Sequence, residues 1–198
     1  MDRTEQIKRA VLKAGVWQFG DYVFASGKPA NNKFEMPLAL KDEAAKKLVL
    51  KALGELALEY EPEALWGVPS GGQEFAHEIG TQLGLPVVYL QKRETQGFKA
   101  VDYLLPRDRA LAIRTNRLVG IEDVINEGTS ITRTLRLPEL SQSTVAIVAC
   151  WIRGIMRVHD SLPIEGVIKE PVPNIIDPRH PFYHTYGRYA VEEESAPA

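Results

Sequence analysis

The chain has 198 residues, 44% of them hydrophobic and 25% charged, a composition that excludes a wholly disordered chain or a small disulfide-dependent scaffold. Its 24 basic and 26 acidic side chains leave a formal net charge of −2, so no bulk positive field marks a nucleic-acid partner. Cys150 is the one cysteine, which suits a reducing cytoplasm, and no run of about 18 apolar residues calls for a membrane. The start, Met1 to Gln6, has no apolar core behind it of the kind a secretion signal carries.

In chain order, Ile7, Ala10, Val11 and Ala14 recur at helical spacing and predict a short amphipathic helix over 4–14. Phe19 to Pro29 reads as two short extended pieces around a Ser26-Gly27 turn. From Asp42 to Tyr60, Ala45, Leu48, Val49, Ala52, Leu53, Leu56 and Ala57 form one apolar stripe, so this stretch is a helix. Residues 64–68 predict a strand ending in the loop Pro69-Ser70-Gly71-Gly72, and 73–83 a helix stopped at Gly84. Strands are expected over 86–90, 117–121 and 143–152, with a helix at about 129–137. Apolar strands alternating with helices imply βαβ units, hence an α/β fold with a central, mainly parallel sheet covered on both faces. No internal repeat is visible.

Two segments lack this regularity. Gln91 to Asn116 carries a local excess of positive charge and reads as a long functional loop. Lys169 to Tyr189, rich in proline and aromatics, is expected to wrap over the sheet rather than extend it. The chain is read as one domain over 1–198, with 1–40 and 165–198 as hood segments.

The most informative stretch is Leu118-Val119-Gly120-Ile121-Glu122-Asp123-Val124-Ile125-Asn126-Glu127-Gly128-Thr129-Ser130. A buried strand delivers two adjacent carboxylates to its C-terminal end, and a small-residue turn leads into a helix. Backbone N–H groups at such a turn, with the Thr129 and Ser130 hydroxyls, form an anion site. Carboxylates beside it would repel the anion itself, but suit sugar hydroxyls or a magnesium ion next to it. The plainer reading is a strand–turn–helix whose acids merely cap the helix.

This stretch resembles the phosphoribosyl-pyrophosphate signature of type I phosphoribosyltransferases. The likeness extends toward orotate phosphoribosyltransferases: Phe19 to Lys28 is similar to their N-terminal stretch, Gly67-Val68-Pro69-Ser70-Gly71-Gly72 to their pyrophosphate loop, and Lys92-Arg93-Glu94 to the start of their mobile loop. Arg153, ending an apolar strand, falls where that family binds the orotate carboxylate.

The resemblance implies a hooded α/β fold and transfer of phosphoribose from phosphoribosyl pyrophosphate to a nucleobase, orotate before others. Catalysis would involve Glu122, Asp123 and Lys99. Donor binding would fall to Ser70, Gly71, Gly72, Lys92, Arg93 and the run Glu122 to Ser130, including Val124, Ile125, Asn126, Glu127, Gly128 and Thr129. The base would meet Asn126, Arg153, Lys28 and Phe34. Magnesium, near Glu122 and Asp123, is the implied cofactor. A homodimer in the cytoplasm is the implied setting.

This sequence also departs from the pattern. Thr95 to Lys99 holds no histidine, and Lys99 is a loose substitute for the family's loop lysine. Ala25 stands where a lysine is frequent, and Glu127 lies within the phosphate loop, where a carboxylate about 4 Å from a phosphate would cost on the order of 1–4 kcal/mol. These departures keep two other readings open: a non-catalytic sensor of phosphoribosyl pyrophosphate or a nucleotide on the same fold, and a transferase for a purine or other base. Blander readings stand beside the specific ones. Gly71 and Gly72 would serve an ordinary turn of positive φ, Lys92 and Arg93 a solvated surface, and Arg153 a strand-end ion pair. His77 reads as a surface residue, and Cys150 and the three tryptophans as core. Pro181 would break any helix aligning His180 with His184, so no structural metal is assigned.

Overall fold

The computed structural model describes residues 2–24, 26–69, 71–94, 101–104, 108–154 and 162–192. Helix α1 (Arg3–Lys13) is followed by a hairpin of β1 (Trp17–Val23) and β2 (Pro29–Phe34), turned at Gly27. After a 3-10 turn over Met36–Leu40 comes α2 (Glu43–Leu58), whose first turn is capped by the Asp42 side chain accepting from the Ala45 N–H at 2.8 Å. The remaining strands are β3 (Ala64–Gly67), β4 (Val87–Val88), β5 (Gln91–Glu94), β6 (Val101–Leu104), β7 (Leu118–Ile125), β8 (Thr144–Ile152), β9 (Ile164–Lys169) and β10 (Val191–Glu192). Between them lie α3 (Gly71–Leu83), α4 (Arg109–Arg114), α5 (Thr129–Thr134), α6 (Pro138–Ser141) and α7 (Pro181–Tyr186).

Strands β4-β3-β7-β8-β9 form one sheet in that order, and all its pairings are parallel. The pleat sends alternate residues of β8 to opposite faces: Ala146, Val148 and Cys150 join one core, Ile147 and Ala149 the other. The first core is filled from α1, α2 and α3, the second from α4, α5 and α6. Strand β1 pairs antiparallel with β2 and parallel with β10, so the two ends of the chain join in a second, three-stranded sheet that hoods the first. Aromatic rings fasten this hood to its surroundings, with Phe34 on Trp151 of the main sheet at 4.5 Å and Trp17 on Phe182 of α7 at 4.9 Å between centroids. Among the described residues no helix is long and apolar enough to cross a membrane.

The structure corrects several expectations. Strand β7 runs four residues beyond the expected end, carrying the acid pair inside the strand, because β8 continues to pair with it as far as Ile125. The 91–116 segment is not one loop: β5 and β6 pair as an antiparallel ribbon, and α4 follows. The helix expected at 129–137 ends at Thr134 and restarts at Pro138, since proline suits the first turn of a new helix rather than the interior of an old one. Only Val87 and Val88 of 86–90 are strand, and β9 adds an edge strand just before the proline-rich segment. That segment then wraps over the sheet, through Val172 and Ile176 in the first core. Pro181 does not break a helix; it opens α7 as its first residue, with His180 as the cap.

Candidate active site

Glu122 and Asp123 sit side by side in the C-terminal half of β7. Glu122 is 5% exposed and Asp123 half-buried. Burial pushes the Glu122 carboxyl well above its ordinary range, and the charge of Asp123 pushes it further; Lys92 on β5 pulls weakly the other way. Asp123 is raised too, first by burial, against hydrogen bonds from Glu122 and from the Val124 N–H at 2.8 Å that favour its charged form. A pair desolvated in this way binds a proton more readily than free carboxyls do, and a cation or a hydroxyl-bearing ligand would relieve the same burial.

The neighbouring glycines explain how the pair fits. Gly71 and Gly72 form the first turn of α3, and neither has a positive φ, so the turn explanation does not apply. A methyl group on Gly71 would overlap the Asp123 carboxylate, and one on Gly72 would strike the Ile121 carbonyl. The absence of side chains therefore lets α3 start against the acids.

Beyond the acids the chain turns through Asn126 and Glu127 to Gly128, whose φ of +73° is the left-handed conformation glycine adopts without strain. The turn encloses a hollow of about 60 Å³ lined by Glu122, Val124, Asn126, Gly128, Thr129 and Ser130, with Phe24 and Ser26 of the hairpin above. Tyr103 of β6 hydrogen-bonds the Ser130 side chain, tying the β5–β6 ribbon to this turn. Glu127 does not stand as a bare charge in the hollow. Its Oε1 accepts from the Lys28 ammonium at 2.5 Å, across from the hairpin.

A larger cleft of about 510 Å³ adjoins the hollow and shares Asn126 and Glu127 with it. Arg153, Lys28 and His180 line it, with Pro171, Val172 and Pro173. Arg153 is 1% exposed and has no acid partner among its hydrogen bonds. Its Nη2 donates to Asn32 Oδ1 at 2.7 Å and to the Pro173 carbonyl at 3.0 Å, and its Nε to the Val172 carbonyl at 3.3 Å. Nη1 has no partner, and neither does the buried Asn126 Oδ1 on the same cleft. Burial without an anion lowers the guanidinium to about 10. The strand-end ion pair is therefore not what Arg153 makes.

Of the other expected residues, Phe34 lies in the core with the Arg153 guanidinium 4.8 Å from its ring centroid. Lys92 is exposed on β5, and Arg93 shares that strand. Ser70, Lys99 and Ala25 fall outside the described residues. His77 is exposed beside the Tyr89 hydroxyl, while Cys150 and the tryptophans are buried core. Sequence reasoning missed Asn32, which reaches Arg153 from a distant strand, and His180. A proline directly after His180 was the signal available for the latter, because it marks a helix start.

Magnesium fits the acid pair in one mode. This ion retains waters and takes one or two carboxylates together with phosphate oxygens, and the adjacent Glu122 and Asp123 carboxyls would supply the carboxylate share. Among the described residues no group of three or more metal-ligating side chains exists, so a cage made by protein alone is not on offer.

No family model matches the sequence. Curated relatives do. The orotate phosphoribosyltransferase of Archaeoglobus fulgidus is 24% identical over 147 residues, spanning 73% of this chain and 79% of that one. That of Methanosarcina mazei is 29% identical over 126 residues, which is 62% of this chain and 63% of the relative. Among solved structures, the orotate phosphoribosyltransferase of Aeropyrum pernix superposes with a TM-score of 0.60 at 21% identity, covering 82% of this chain and 93% of the other. The adenine phosphoribosyltransferase of Thermoanaerobacter pseudethanolicus gives the same TM-score of 0.60 at 16% identity, covering 83% and 98%. The matches consistently point to the type I phosphoribosyltransferase family, and the hooded α/β fold is the architecture of that family. The named relatives in sequence are orotate phosphoribosyltransferases.

Proposed function

We propose that the chain transfers the phosphoribosyl group of phosphoribosyl pyrophosphate to orotate, giving orotidine 5′-monophosphate and pyrophosphate. The observation that carries the choice of base is Arg153: a fully buried guanidinium with one NH2 group unpaired, facing a cleft and lacking any acid. A buried cation is costly unless something negative completes it, and a planar carboxylate matches its fork. Adenine carries no such group. The unpartnered Asn126 Oδ1 in the same cleft suits a ring N–H.

The chemistry then distributes along β7 and its turn. The donor's 5′-phosphate occupies the 60 Å³ hollow, held by backbone N–H groups, with Lys28 offsetting Glu127 at its rim. Glu122 and Asp123 take the ribose hydroxyls. As the C1–O bond to pyrophosphate breaks, positive charge grows on the sugar and a bond forms from the base nitrogen, whose proton passes to solvent or the leaving group. The buried acid pair, ionised when the ribose hydroxyls bind and any proton it carries passes to solvent, favours that charge. Magnesium, when bound, would neutralise the departing pyrophosphate. Lys92, close enough to Glu122 to affect its ionisation, adds positive charge on that side.

Pyrophosphate release measured with magnesium, phosphoribosyl pyrophosphate and a panel of bases tests the proposal. Orotate should be preferred over uracil, which differs only by the carboxylate, by about a hundredfold, and Arg153→Gln should reduce that preference below tenfold. Equal use of uracil or adenine would overturn the choice of base. Calorimetric binding of the donor without release from any base would select the sensor reading instead.

A further inference from the structure

His180 lies in the proline-rich segment, outside every motif that pointed to the site, yet it lines the same cleft as Arg153, Lys28 and Asn126. Its conformation is fixed from three directions. The backbone N–H donates to the Asp177 carbonyl at 3.0 Å, the backbone carbonyl accepts from the His184 N–H at 2.9 Å, and Nδ1 accepts from the Phe182 N–H at 3.2 Å. Pro181, at the first position of α7, holds the backbone in helical φ immediately after the cap.

Capping alone does not explain an imidazole here. Asn, Asp, Ser and Thr are the favoured residues at this position, and each would satisfy the Phe182 N–H. Histidine differs from them in carrying a second nitrogen. With Nδ1 committed as an acceptor, the neutral ring bears its proton on Nε2, which is then a donor on a side chain that cannot turn without losing the cap. The cleft it lines already holds a donor without a partner, Arg153 Nη1, and an acceptor without one, Asn126 Oδ1.

We propose that His180 is a base-binding residue, its Nε2–H donating to an acceptor oxygen of the base whose carboxylate Arg153 holds. The proposal rests on the cleft being the orotate site and adds a contact from the C-terminal segment that selects among bases. A flat ring presents oxygens on more than one edge. Donors from Arg153, just past the end of β8, and from the cap of α7 then read two of them from different parts of the fold.

The test uses His180→Asn, which keeps a capping acceptor and removes the distal donor. Full-length protein is titrated calorimetrically with orotidine 5′-monophosphate, which fills both hollow and cleft, and with ribose 5-phosphate, which fills only the hollow. The variant should bind the nucleotide about tenfold more weakly, the loss of one hydrogen bond. It should bind ribose 5-phosphate as the wild type does and keep the wild-type thermal midpoint. Nucleotide affinity equal to wild type in the variant would overturn the role of His180 and leave the assignment of the cleft standing. Wild-type protein that binds ribose 5-phosphate but not the nucleotide would overturn the base assignment and this proposal with it. His180→Ala, which removes the cap as well, should lower the midpoint, so a loss of binding through unfolding is told apart from loss of the donor.

Discussion

At Glu122, burial and the adjacent Asp123 act in the same direction, and the consequence is measurable in stability as well as chemistry. The unfolded carboxyl titrates near its ordinary 4.5, while the folded one keeps its proton to higher pH. The folded state therefore binds more protons over that interval, and stability falls as pH rises above about 4.5. Glu122→Gln should remove this slope. Its thermal midpoint should exceed that of the wild type at pH 8 and converge with it near pH 4, while pyrophosphate release is lost. Equal midpoints at pH 8 would show that burial does not raise the Glu122 carboxyl. Glu127 is the contrasting case. A carboxylate in a turn proposed to hold a phosphate looks obstructive in sequence, but Lys28 brings a cation to within 2.5 Å of it from another element, so the rim of the hollow carries a compensated pair.

Among the elements, α3 is positioned by what its first turn lacks. Gly71→Ala inserts a methyl group into the Asp123 carboxylate, so it should lower turnover at least tenfold with the helical circular dichroism unchanged. Gly54, in the interior of α2, is the control: a methyl there meets Leu83 and Ile79 at 3.8 and 3.9 Å, ordinary contact, and Gly54→Ala should stabilise by about 0.5–1 kcal/mol. A turnover in Gly71→Ala equal to that of Gly54→Ala would remove the steric argument. The elements also differ in how far sequence announces them. Strand β8 and helix α2 bury a strongly periodic face, and both were legible to within a residue or two. The β5–β6 ribbon was not, because charged residues occupy β5 and the buried anchor of the pair, Tyr103, lies on the other strand. Strand β9 sits at the sheet edge with only Ile168 fully buried, so its pattern is faint. The acid pair and the turn after it stood out because they are contiguous. The setting of Arg153 did not, since Asn32 reaches it across 121 residues of sequence.

In the whole molecule, the first helix and the C-terminal segment are clasped by charge. Lys8 bridges Glu5 at 2.8 Å and Glu170 at 2.6 Å, and the Tyr186 hydroxyl of α7 donates to Glu5. Burial alone would raise the Glu5 carboxyl, but hydrogen bonds from Lys8, Arg9 and Tyr186 outweigh it and hold the group at about 2. Its contribution to stability is thus complete above its ordinary 4.5 and is lost as pH falls toward 2, the opposite slope to that of Glu122. Glu5→Gln should lower the midpoint at pH 7 and shrink the difference from wild type at pH 2, read by thermal unfolding across that range. A constant difference would mean that the clasp does not act through the Glu5 charge. The same closure of the two ends has a temporal side. Asn32 is made early, but the carbonyls of Val172, Pro173 and Asn174 that bind it and Arg153 are made some 140 residues later. A polypeptide emerging from the ribosome can pair β7 with β8, and so place Glu122, Asp123 and the turn after them, before the carbonyls that complete the setting of Arg153 exist, so the order of synthesis completes the hollow before the cleft.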